Sequence, residues 1–135
     1  MPELNWNQTD LVEYLEVVPE TNEFETEQLF TVQRNGLILQ VSVWPLESVV
    51  YLDLSRVGSG TPLIGLALFV RGRVEYVKER DYECLRFHNA LPAPNRFSYM
   101  DYKEDVHNAD GLSYGLTVRL RVKPDIAIEL ERKMA

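Results

Sequence analysis

The chain has 135 residues, 45% apolar and 26% charged, a composition that suits one soluble globular domain able to bury a core unaided. Its 21 acids against 14 bases give a formal charge of −7, a surplus that repels phosphate backbones and argues against general nucleic-acid binding. One cysteine, Cys84, excludes an intramolecular disulfide, and no apolar run approaches the roughly 20 residues of a membrane-spanning helix.

Met1-Pro2-Glu3 begins neither a basic nor an apolar signal-peptide pattern, so the cytoplasm is the expected location. The charge is unevenly spread. Residues 1–27 hold eight acids (Glu3, Asp10, Glu13, Glu16, Glu20, Glu23, Glu25 and Glu27) and no Lys or Arg. The remaining residues hold 13 acids against all 14 bases and are almost neutral.

In chain order, residues 7–18 predict a short helix. Asn7 or Thr9 supplies an N-cap, and Asp10 suits the positive end of the helix dipole. Leu11, Tyr14, Leu15 and Val18 recur at helical spacing on one face, and Pro19 stops the run. Asn7-Gln8-Thr9 also spells a glycosylation sequon, which carries no weight in a chain without a secretion signal. Residues 19–27 read as a charged connector.

Residues 28–34 and 37–44 predict antiparallel strands joined by Asn35-Gly36, a strong type I′ hairpin signal. Trp44-Pro45 ends the second strand. Val50 to Ser55 alternates again, with Val50, Leu52 and Leu54 on one face. The glycine-rich loop 57–62 contains Gly-Ser-Gly but lacks the basic residue of a phosphate loop, and reads as a turn.

From Leu63 to Tyr76 the even positions are apolar, and Arg71-Gly72-Arg73 interrupts them. A glycine inside a strand marks a bulge or bend, so residues 63–78 are one bent strand or two. Residues 82–88 form another strand with Leu85 and Phe87 inward. Residues 89–112 lack periodicity, contain prolines, and are expected to lie across one end or face of a sheet, with at most one helical turn within 95–108. The last strands are Tyr114 to Val122 and Ile126 to Glu131. This succession of strands joined by short turns predicts a single-domain, mainly β, antiparallel sandwich, or failing that a partly closed barrel, with one short N-terminal helix.

Chemistry is sparsely written. Cys84 and His88 share a face of one strand but stand roughly 13 Å apart, too far for a nucleophile and its base. No catalytic residue is assigned, and an enzyme is the least supported class. Asp101, Asp105, His107 and Asp110 gather hard-cation ligands in one loop, so calcium or another divalent metal is the one cofactor to consider. Arg96, Phe97, Tyr99 and Tyr102 are the corresponding candidates for lining a small-ligand cleft.

Arg71, Arg73, Arg119 and Arg121 occupy polar phases of their strands. If those strands were neighbours, four guanidiniums would form one partner-binding stripe. They would require an acidic counterpart, such as Glu75, Glu129, Glu131, the acidic N-terminal region or another chain. One arrangement docks the N-terminal region on that face through Leu11, Leu15 and Val18. The expected function is therefore non-enzymatic protein–protein interaction, with copies of the chain itself as the expected partners. A ligand- or metal-binding module built on 89–112 is the alternative.

Overall fold

The computed structural model describes residues 3–93 and 116–132. The segment carrying Arg96, Phe97, Tyr99, Asp101, Tyr102, Asp105, His107 and Asp110 lies outside them.

The described strands are β1 (Glu20–Thr21), β2 (Gln28–Arg34), β3 (Leu37–Trp44), β4 (Val49–Arg56), β5 (Pro62–Val70), β6 (Val74–Glu79), β7 (Tyr82–His88), β8 (Ala90–Ala93), β9 (Leu116–Arg121) and β10 (Ala127–Arg132). They form two antiparallel sheets that do not close into a barrel. One runs β1-β2-β3-β4-β5-β8 and the other β10-β9-β7-β6. The fold class expected from the strand pattern is the one observed.

Local chemistry explains most element boundaries. Asn35 and Gly36 both take the left-handed conformation (φ 52° and 79°) that a type I′ turn needs, and the hairpin registers Arg34 against Leu37. The helix α1 (Gln8–Leu15) starts where the Asn7 side chain accepts from the Thr9 N–H at 2.9 Å. It ends where Glu16 turns left-handed and donates its N–H to the Val12 carbonyl. This stop comes before Pro19, so Val18 leaves the helical phase. Leu11, Tyr14 and Leu15 are buried, whereas Val18 is 81% exposed.

The main core lies between the sheets. Phe30, Leu39, Val41, Leu52 and Leu68 face Leu85, Phe87, Val118 and Leu120 across it, and α1 inserts Leu11, Tyr14 and Leu15. The Tyr14 ring is tilted against Tyr76, with centroids 5.3 Å apart.

Sheet one departs from simple alternation. Val49, Tyr51, Ala67 and Phe69 are buried too, in a second cluster with Trp44 and Leu91. They stand on the phase opposite Val50, Leu52 and Leu68, so β4 and β5 are covered on both faces. Strands of that kind read as continuous apolar runs.

The stretch 63–78 is two strands in different sheets, and β8, in a stretch without periodicity, pairs beside β5. β5 leads into β6 through Arg71-Gly72-Arg73, while β7 leads into β8 through Asn89, which is left-handed (φ 54°). At this corner the Arg71 N–H donates to Asn89 O, the Gly72 N–H to His88 O, and the His88 N–H to Arg73 O. A single bent ribbon thus belongs to both layers.

Candidate partner-binding surfaces

Residues directly opposite one another in a sheet share a face. In sheet two the register sets Glu75 opposite Arg86, Arg86 opposite Arg119, and Arg119 opposite Glu129. The next row is His88, Thr117 and Glu131. The inward phase carries Phe87, Val118, Leu85 and Leu120, so this polar set is the outer face.

The arginines there are held by acids of the same sheet. Arg119 pairs with Glu131, and its Nη1 donates to the Tyr82 hydroxyl at 2.6 Å while the guanidinium lies over that ring. Arg121 pairs with Glu129 at 2.7 Å, and Arg86 reaches Glu131 at 3.9 Å. Burial, followed by a hydrogen bond with Cys84, pushes the Tyr82 hydroxyl up, and Arg119 opposes them. Cys84 itself is free and fully buried.

At the corner, His88 Nε2 lies 2.7 Å from Glu75, and Arg73 is 3.4 Å from the same carboxylate. The His88 hydrogen bond, followed by the charge of Arg73, holds Glu75 below the ordinary value of 4.5 against the opposing effect of burial. A carboxyl shifted down on folding adds stability above its unfolded value, and that stability is lost as pH falls through the folded value. Glu75→Gln is therefore expected to lower stability at neutral pH, with the gap to wild type narrowing below about pH 4.5. Urea denaturation at a series of pH values checks this; a gap independent of pH would contradict it.

The four arginines singled out in the sequence do not form one stripe. Arg71 and Arg73 sit in the crossover, and β7 stands between β6 and β9. The guanidinium cluster is instead Arg86, Arg119 and Arg121. Arg86 was legible only as the polar residue between inward Leu85 and Phe87. The acids that meet these arginines are Glu129 and Glu131 rather than the N-terminal region. That region does dock on its own domain, through Leu11 and Leu15, and its ion pairs go to lysines: Glu13 to Lys78 at 3.3 Å and Glu16 to Lys123 at 3.1 Å.

Further along the acidic segment, three acids project outward. Glu20, Glu23 and Glu25 are exposed, with no basic partner among the described residues. Phe24, between the last two, is 78% exposed. The loop is nonetheless well tied: the Asn22 carbonyl oxygen of the side chain accepts from the N–H groups of Thr26 (2.8 Å) and Glu27 (3.0 Å), and its amide donates to the Thr26 hydroxyl (2.7 Å). Ser42 donates to the Glu27 carboxylate. An aromatic ring stands out between two carboxylates on a hydrogen-bonded loop. Such an arrangement can seat an apolar anchor and attract a cationic surface.

No protein-family model matches this chain, and no curated protein sequence matches it. Among solved structures, its fold is similar to that of a chain in a contact-dependent growth inhibition toxin–immunity protein complex from Klebsiella pneumoniae 342. The likeness covers 97% of this chain and 98% of that one, with a TM-score of 0.66 and 13% identity. At that identity the likeness is one of fold.

Proposed function

We propose that this chain is a protein-binding domain that captures a basic partner protein through residues 18–27, and that it serves as the immunity half of a toxin–immunity pair. The observation that carries this reading is the hydrogen-bonded loop that exposes Phe24 among Glu20, Glu23 and Glu25. An inhibitory partner needs only a preformed complementary surface with which to cover its target, and this loop supplies one. The toxin–immunity complex of similar fold supports the pairing; the acidic balance favours the immunity side facing a basic toxin.

The test is to purify the chain from its source with its bound protein, then measure the affinity of that protein for variants. Phe24→Ala is expected to raise Kd about 30-fold, the effect of losing an anchor worth about 2 kcal/mol. The Glu23→Lys/Glu25→Lys variant is expected to slow association and to flatten its salt dependence. Expressed alone, the captured protein should arrest growth, and wild type but not the variants should relieve the arrest. Equal binding by all three proteins would refute the docking site. A captured protein without toxicity would refute the immunity role alone.

A further inference from the structure

Every open sheet invites another strand unless its edges are blocked. Among the described residues this fold has four edges, and three are blunted. β1 has two residues, β8 has four including Pro92, and β6 is met at its start by the bridge between Asn5 and Arg73. β10 is different: six residues register fully with β9 on one side, and no described strand pairs with the other.

The side chains of β10 do not protect it either. Glu129 and Glu131 are the charges that would normally deter pairing, but Arg121, Arg119 and Arg86 already engage them. Leu130 registers opposite Val118, which is fully buried, yet is itself 59% exposed. Ile128, two residues back on the same phase, is only partly buried against the core.

We infer that the edge of β10 is a self-association surface on which a second copy of this chain adds its own β10, antiparallel and centred on Glu129. The sequence around that centre is self-complementary. Antiparallel pairing about Glu129 sets Ile128 opposite Leu130 of the second copy, and Leu130 opposite its Ile128, so the exposed leucine is covered twice over. A shift of one residue would bring Leu130 against Glu129 in one direction or Ala127 in the other, both of the opposite phase, because the side-chain period is two. The two Glu129 carboxylates meet at the dyad, each already bound by its own Arg121. The two four-stranded sheets become one of eight strands, with the same patch used by both copies.

The experiment uses the full chain and is independent of the Phe24 loop. Native mass spectrometry and sedimentation from low micromolar to high micromolar concentration should show a monomer–dimer equilibrium. Leu130→Lys should leave the melting temperature of the monomer unchanged and shift that equilibrium at least tenfold towards monomer. Glu129→Cys should form a covalent dimer on mild oxidation, since residues facing across an antiparallel pair lie within disulfide reach. Ala127→Cys should not, because its counterpart lies four residues away, roughly 13 Å along the strand. A monomer at every concentration would overturn the inference. So would a dimer that survives Leu130→Lys, or cross-linking of Ala127→Cys as readily as Glu129→Cys.

Discussion

Gly72→Ala is expected to destabilise the fold by about 3 kcal/mol, near the upper end of the range for overpacked sites. A Cβ at this position would stand 2.6 Å from His88 O and 2.9 Å from both His88 C and Cβ. Two of those contacts are backbone atoms, so no side-chain rotation relieves them. The same backbone is tied by the Gly72 N–H to His88 O bond at 3.0 Å, and it joins the two sheets. Separating the strands to admit a methyl group would loosen the ribbon that both layers share. Gly60→Ala supplies the control, because nothing lies within 4 Å of the added carbon there. It should be neutral, or stabilise by about 0.4–1 kcal/mol through the unfolded state. Thermal melts of the two variants beside wild type make the comparison; equal melting temperatures would show that the corner relaxes freely.

Tyr14 should give the second large effect. Its ring is fully buried, and its hydroxyl ties α1 to β7 and to the residue after β9: it donates to Glu83 O at 3.0 Å and accepts from the Val122 N–H at 3.0 Å. Tyr14→Ala removes a buried aromatic and should cost about 3–5 kcal/mol. Tyr14→Phe keeps the packing but strands a buried N–H and a carbonyl, for about 1–3 kcal/mol. The two variants separate the packing contribution from the hydrogen-bonding one.

The same residue gives a pH signature. Burial, above all, raises the Tyr14 hydroxyl above its ordinary 10.0, and burial together with Glu83 pushes Tyr76 up to about 12. A group raised on folding adds stability that is complete below its unfolded value and lost as pH rises through the folded one. Wild type should therefore lose stability above pH 10, and the gap to Tyr14→Phe should narrow there. Chemical denaturation across the alkaline range measures it, and a constant gap would refute the account.

How much of this was written in the sequence varies with the range of the interaction. β2, the Asn35-Gly36 turn, β3 and β7 follow from period-two apolarity and from residues tolerant of left-handed backbone, all of which act over a few neighbours. The inward pair Leu85 and Phe87 was legible for the same reason, as was the Asn7 cap of α1. β1 and β8 were not, because two- and four-residue strands have no period to detect and exist through their partners.

The sites divide along the same line. Sequence alone determined the antiparallel, mainly β class and the concentration of acid in the first 27 residues, because both depend on residue type and order. It also marked Arg71-Gly72-Arg73 as a break. Only the tertiary structure decided that this break is the passage from one sheet to the other, since that depends on which strands become neighbours. It likewise set Arg86 beside Arg119, gave Glu129 and Glu131 to the arginines, and sent Glu13 and Glu16 to lysines. A charge finds its counterpart across strand order and register, and neither is encoded in any local stretch of the chain.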